Sequence, residues 1–228
     1  MNGYDLIIPV YNEKKIIKLL DYLFISSNLI TKIYICYDND KDITVQFIKN
    51  SKYFNFSKVI LLKNLAMGPC EAVKTGIYKS NSSAIIVYPA DDFNNGTLLD
   101  QMYQEFKNGY DIVCPSRFMS GGVIKNCPLL KYLIVRTVSF FLYHLSNIKV
   151  KDPTNGFRLF SRRLINKIPI ESKLGFAYSI ELLVKAEKNN FKIKELPSIW
   201  IERDDRKSNF KIFKWARQYL KWFFFGIF

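Results

Sequence analysis

The stretch Ala84 to Phe93, AIIVYPADDF, decides how this chain is read. Ala84, Ile85, Ile86 and Val87 form an apolar, mostly β-branched run that is too short for a helix and suits a buried strand. Tyr88-Pro89 ends it, because proline cannot continue a central ladder. Two adjacent carboxylates, Asp91 and Asp92, follow at once. In an open α/β sheet, ligands bind outside the carboxyl ends of the strands. Two carboxylates at that position suit a divalent cation, which takes oxygen ligands. Taken alone, the pair reads more readily as a solvated turn, since Asp is a common turn residue. The surrounding chain decides between the two.

Working outward, strands are predicted at Tyr4–Val10, Lys32–Tyr37, Lys58–Leu62 and Asp111–Pro115, with helices between them. Asn12 is placed to cap the first helix, with Glu13 in its first turn. A glycine-containing loop at Gly68 leads into a helix from about Cys70 to Lys79. Five strands alternating with helices across short connections predict an α/β fold with a mostly parallel sheet and right-handed crossovers. Beyond Pro115 the rhythm changes. A loop at Ser116–Gly122 is followed by an apolar helix over 129–145, and the turn DPTNG leads to a short strand and a helix. An amphipathic helix over 177–188 precedes a strand over 191–201 that Pro197 interrupts.

The 228 residues suffice for one large α/β domain, and 49% hydrophobic content excludes a disordered chain. A net charge of +14 implies an anionic partner. With 19 Phe and 14 Tyr, the basic surface suits a membrane interface as well as it suits nucleic acid. Cys36, Cys70, Cys114 and Cys127 show no CxxC pairing and read as reduced residues of a cytosolic protein. No signal peptide and no run of spanning length is expected.

Three groups of residues carry chemistry. Asp38, at the end of the second strand, converges with Asp91 and Asp92 on one rim if both strands are parallel and central. GPCEAVKT is not a Walker A loop, because Val73 occupies the second glycine position. Gly68 and the helix start behind it remain able to face a phosphate. Arg117, Arg136, Arg158, Arg203, Arg206 and Lys207 are candidates for phosphate recognition, which suits the arginine fork. Arg136 stands out because an arginine inside an apolar run needs a partner or an interface. His144 is the one histidine, which leaves a His-rich metal site or a Ser-His-Asp triad little support. In the tail, Lys211, Lys214, Arg217 and Lys221 share one helical face opposite aromatic residues. Only seven residues follow Lys221, so the tail suits a helix lying in the headgroup layer rather than a span. Docking on the protein's own body is the rival reading.

Taken in order, IIPVYNE, the acids after the second strand, GPCEAVKTG, PADD, DIVCPSRFMSGG and DPTNGFRLFSRRLI resemble the family 2 glycosyltransferases. The likeness is to the dolichyl-phosphate mannose synthase and polyprenyl-phosphate glycosyltransferase group, and it runs from about Tyr4 to Phe210. It implies a GT-A fold, a nucleotide-diphosphate sugar donor and Mg²⁺ or Mn²⁺. By this resemblance Pro9, Tyr11, Glu13 and Asp38 line the nucleoside pocket. Asp91 matches the second Asp of the metal-binding D-x-D motif. Arg117 and Arg136 meet the acceptor phosphate, and Arg203, Arg206 and Lys207 meet donor or acceptor phosphates. The Asp152-Pro153-Thr154 turn sits near the sugar. Pro89 stands where the first Asp of D-x-D is usual, with Asp92 the nearest substitute.

The expected reaction is hexose transfer to a polyprenyl phosphate at the cytosolic face of a membrane, by a peripheral protein. Residues 1–209 form the catalytic domain and 210–228 the interface helix. The acceptor phosphate is already an anionic nucleophile, so no strong base is required. The rival readings are transfer to a sugar hydroxyl, with Asp152 or Glu181 as base, and a catalytically decayed membrane-binding protein. Nucleic acid is not expected as a partner.

Overall fold

A computed structural model describes residues 3–202 and 212–228. The chain folds as β1 (Tyr4–Pro9), α1 (Ile16–Ser26), β2 (Ile30–Tyr37), α2 (Ile43–Lys49), β3 (Val59–Lys63), α3 (Pro69–Lys79), β4 (Ala84–Val87), α4 (Leu98–Lys107) and β5 (Ile112–Ser116). There follow β6 (Val123–Lys125), α5 (Leu129–Leu145), β7 (Arg158–Ser161), α6 (Arg162–Lys167), α7 (Tyr178–Lys188), β8 (Ile193–Pro197), β9 (Ile199–Ile201) and α8 (Ile212–Ile227). Seven strands form one sheet in the order β3-β2-β1-β4-β7-β5-β8. All pairings in it are parallel except those of β7 with β4 and β5.

The strands carry apolar residues on both faces, and each face packs a helical layer. Leu6, Ile8, Leu19, Leu20 and Leu99 meet on one side, and Ile7, Val73, Ile77, Leu183 and Val184 on the other. Each such fully buried aliphatic side chain contributes roughly 1.5–3 kcal/mol relative to exposure. Gly76 allows α3 to lie close on the sheet. A Cβ there would stand 2.4 Å from Ile7 Cγ2 and 2.9 Å from Cys36 Sγ.

Three sequence expectations change. First, β7 enters antiparallel between β4 and β5, which the alternating pattern did not suggest. An antiparallel strand begins where its neighbours end, so the turn 152–157 reaches the same rim as Asp91, Asp92 and Arg117. Second, the strand predicted over 191–201 divides. β8 stays on the main sheet beside β5, whereas β9 pairs with β6 in a separate two-stranded sheet. Third, Asn12 does not cap α1, whose N-cap Lys15 has no side-chain cap bond. Asn12 instead accepts from the Ile43 N–H at the start of α2, 3.2 Å away. Glu13 lies outside α1 and accepts from the Lys15 N–H at 3.0 Å.

The C-terminal helix docks on the body. Trp222 is 2% exposed and donates from Nε1 to Ser172 Oγ at 2.8 Å. Gln218 Oε1 accepts from the Lys173 and Leu174 N–H groups at 3.0 and 2.8 Å. The same helix turns Leu220, Phe224 and Phe225 outward. Its apolar residues thus serve two faces, not one. Among the described residues no helix is long and apolar enough to cross a membrane.

Candidate active site

The rim is built from the carboxyl ends of β1, β2, β4 and β5 and the turn before β7. On its β1–β2 side, the loop after β1 is held by α2. The Asn12 N–H reaches both oxygens of Asp42 at 3.1 Å, and the Glu13 N–H donates to Thr44 Oγ1 at 2.8 Å. This leaves the Tyr11 ring exposed beside Pro9, while Glu13 is buried. The three acids after β2 do not converge. Asp38 accepts from the Gly68 N–H at 3.0 and 3.1 Å and from Asn64 Nδ2 at 2.9 Å. Asp40 pairs outward with Lys63, and Asp42 caps α2. Asp38 therefore organises the Gly68 loop, and the Gly68 amide is already bonded to a carboxylate.

At the end of β4 the proline costs no ladder bond. The Tyr88 N–H makes the last one, to the Ile7 carbonyl at 2.9 Å. The Pro89 carbonyl then accepts from the Asp92 N–H at 3.3 Å and turns the chain. Asp92 is used by its own turn. Oδ1 accepts from the Asn94 and Asn95 N–H groups at 2.8 and 3.1 Å, and Oδ2 from Asn95 Nδ2 at 2.7 Å. Burial nevertheless pushes its carboxyl above the ordinary value against these bonds. Asp91 is half-buried on the rim.

On the β5 side, Arg117 binds Asp152 with two prongs, Nε to Oδ2 at 2.6 Å and Nη2 to Oδ1 at 2.8 Å. Arg158 lies fully buried beneath the turn and donates to the carbonyls of Asn155 and Asp152 at 2.8 and 3.0 Å. It also donates to Cys114 Sγ at 2.8 Å, a thiol that burial pushes up to about 12. Cations and rings alternate above the turn. Arg117 lies over Phe118 and Trp200, Arg136 over Phe118 at 4.9 Å, and Lys131 over Trp200 at 5.3 Å. Lys131 is paired with Glu202 at 2.8 Å. Arg136 stands exposed on α5.

The two sides meet. Pro89, Asp92, Arg117, Asn155 and Trp200 line one cavity of ≈ 10 Å³. The sequence candidates Asp91, Asp92, Arg117 and Asp152 thus share one part of the rim, with Asp38 and Gly68 bonded to each other elsewhere on it. Arg203, Arg206 and Lys207 lie outside the described residues. The two candidate bases are engaged. Asp152 is 0% exposed and has both oxygens on Arg117. Glu181 is buried, accepts from the Glu171 and Ser172 N–H groups, and pairs with Lys185 at 2.7 Å. His144 lies exposed on α5 against Phe140. Phe118, Trp200, Asn95 and Glu202 were not singled out from the sequence, since each acts through a contact distant along the chain. Among the described residues, no group of three or more His, Cys, Asp or Glu side chains is arranged to hold a metal.

The sequence model of "Glycosyl transferase family 2" matches residues 5–169. The chain is 25% identical over 147 residues to the polyprenol monophosphomannose synthase of Mycolicibacterium smegmatis, covering 59% of this chain and 55% of that protein. It is 29% identical over 225 residues to the dolichyl-phosphate beta-glucosyltransferase of Dictyostelium discoideum, covering 89% and 68% respectively. The chain therefore spans little more than half of the first relative's length. Among solved structures it is similar to glucosyl-3-phosphoglycerate synthase from Mycobacterium tuberculosis, crystallised with Mn²⁺, UDP and glucosyl-3-phosphoglycerate. The TM-score is 0.70 at 13% identity, over 97% of this chain and 78% of that one. At that identity the likeness establishes the fold, a GT-A-type mostly parallel sheet flanked by helices.

Proposed function

The chain belongs to glycosyl transferase family 2, and from that premise we propose that it transfers a hexose from a nucleotide-diphosphate sugar to a polyprenyl phosphate at a membrane surface. One observation carries the acceptor assignment. The exposed Arg136 stands on α5, beside the rim, and the same helix exposes Leu129, Leu130, Leu133, Phe140 and Phe141. A cation rising from an apolar exposed face suits an anionic head group attached to a hydrocarbon chain. Leu220, Phe224 and Phe225 of α8 extend the apolar surface, and Lys149, Arg217 and Lys221 add exposed charge for an anionic bilayer. We assign the docking to the cytosolic face, with residues 1–209 as catalytic body and 210–228 as interface helix.

The geometry agrees with a reaction that needs no general base. Asp152 and Glu181 are occupied by Arg117 and Lys185, whereas a phosphate oxygen is already an anionic nucleophile. Arg136 is assigned to the acceptor phosphate, and Asp152 to aiming Arg117 at the same group. Pro9, Tyr11, Glu13, Asp38 and Gly68 are assigned to the donor nucleoside side, and Arg203, Arg206 and Lys207 to the phosphates. Hard oxygen donors on this rim fit Mg²⁺ or Mn²⁺. Asp91 is the proposed ligand, since Asp92 is committed to its turn. A bound cation would supply neutralisation of the leaving diphosphate. Rate enhancement then rests on positioning and electrostatic stabilisation.

The test is incubation of the protein with radiolabelled UDP- and GDP-hexoses, polyprenyl phosphate and Mn²⁺, followed by extraction of lipid. Labelled polyprenyl phosphohexose is the expected product. Label found only on a sugar acceptor, or in no product for any donor, rejects the reading.

A further inference from the structure

We propose that Asn95 is a positioning residue that joins the donor-side turn to the acceptor-side strand and sets the distance between the two halves of the site. The inference rests on the assignment of those halves above. Asn95 is 5% exposed and its amide is fully employed. Nδ2 donates to Asp92 Oδ2 at 2.7 Å and to the Ile199 carbonyl at 2.7 Å, and Oδ1 accepts from the Ile199 N–H at 2.9 Å. An asparagine amide has two N–H donors, and both are used here. The orientation is forced, because exchanging Oδ1 and Nδ2 would set an oxygen against a carboxylate and a carbonyl.

The bridge spans 104 positions of sequence. On one side lies the turn of Asp91 and Asp92. On the other, Ile199 opens β9, and the next residue, Trp200, lies against Arg117 and Lys131. Besides the Asn95 bridge, the backbone leading into β9 is held to the end of β5 by the Ser198 N–H, which donates to the Ser116 carbonyl at 3.0 Å. β9 has three residues and pairs with the three-residue β6, outside the main sheet. Between the turn and the strand lies the ≈ 10 Å³ cavity, whose wall includes Ser198. The Ser198 hydroxyl is buried there without a hydrogen-bond partner among the described residues. The directional bonds of Asn95 join the turn and the strand beside this small cavity. A displacement of about 1 Å between reacting groups can cost on the order of a hundredfold in rate.

The test compares wild type with Asn95→Ala and with Asn95→Asp, which keeps the shape and the acceptor for the Ile199 N–H. Three quantities are read: steady-state transfer, Mn²⁺ binding with UDP or GDP by electron paramagnetic resonance, and backbone hydrogen exchange. Both variants are expected to lose about tenfold or more in kcat. KM for either substrate and nucleotide-dependent Mn²⁺ binding should stay within about threefold, because the donor-side groups themselves are kept. In Asn95→Ala, exchange should quicken at Ile199 and Trp200 and at positions 94 and 95 together. Transfer within about twofold of wild type, or unchanged exchange at Ile199, would overturn the proposal. A kcat loss matched by loss of Mn²⁺ binding would also overturn it, since the role would then be ligand support. If wild type transfers nothing to polyprenyl phosphate, the acceptor reading fails, and exchange and Mn²⁺ binding still decide the role of Asn95.

Discussion

The Arg117 guanidinium and the Asp152 carboxylate form a two-pronged pair, 2.6 and 2.8 Å long, and the Arg117 main-chain N–H adds a third bond at 3.0 Å. Asp152 is 0% exposed and the Arg117 side chain 10%. Burial works to lower the Arg117 pKa, but the charge and hydrogen bonds of Asp152 outweigh it and raise it. Removing one member of a buried pair strands the other charge and costs about 3–5 kcal/mol. Asp152→Ala is therefore expected to lower unfolding free energy by about 3 kcal/mol in urea titrations. Asp152→Asn should lower stability and transfer together. Loss of transfer with stability intact would identify Asp152 as a base.

The two carboxylates after β4 should separate cleanly. Asp92→Ala removes the acceptor of three hydrogen bonds and should destabilise by about 1–3 kcal/mol. Asp91→Asn keeps the size of a half-buried side chain and should destabilise less than Asp92→Ala does. It should abolish nucleotide-dependent Mn²⁺ binding, read by electron paramagnetic resonance. The opposite ranking would move the metal assignment to Asp92.

Arg136→Gln should raise the KM for polyprenyl phosphate by about tenfold or more, the scale of a lost hydrogen bond to a charged group. The donor KM should be unaffected. A change in donor KM alone would place Arg136 on the other half of the site.

Membrane attachment should depend on both helices. Leu133 on α5 is 51% exposed and Phe224 on α8 is 53% exposed. Leu133→Glu and Phe224→Glu should each weaken co-sedimentation with anionic vesicles by about tenfold or more, on the scale of one buried apolar side chain. Thermal midpoints should be unchanged. If only Phe224→Glu acts, α5 is not part of the docking face.

Asp111 predicts an acid limb in stability. Burial works to raise its pKa, but hydrogen bonds from Arg163, Ser161 and the Lys192 N–H hold it below the ordinary carboxylate value. A folded-state pKa below the unfolded one stabilises the native state above the unfolded value of ~3.9, and that stability is lost as pH falls through the folded pKa. Unfolding free energy should therefore drop below about pH 4, and Asp111→Asn should flatten that part of the drop. Because Arg163 is 71% exposed, the effect should shrink in high salt.

Much of this protein is legible locally. The apolar run at Ala84–Val87 specifies its strand residue for residue, and the helix over 129–145 agrees at both ends, because hydrophobic period and length are properties of a short window. The acids and arginines of the rim were visible for the same reason, since residue type and strand ends place them. β6 and β9 were not legible as a pair, because each has three residues and becomes a strand only beside the other.

By itself the sequence determined an α/β chain, a mostly parallel sheet, a carboxylate rim and membership of a recognisable family. These follow from periodicity, turn chemistry and motif order. The tertiary structure alone decided that β7 enters antiparallel between β4 and β5, which carries the Asp152 turn to the rim. It decided that Asp38 is engaged by Gly68 and Asn95 by Ile199, and that Arg117 is engaged by Asp152 while Arg136 stands exposed. It decided too that α8 lies on the body through Trp222. The physical reason is that a hydrogen bond or ion pair between residues 30 to 104 positions apart is fixed by strand order and packing, which no local window contains.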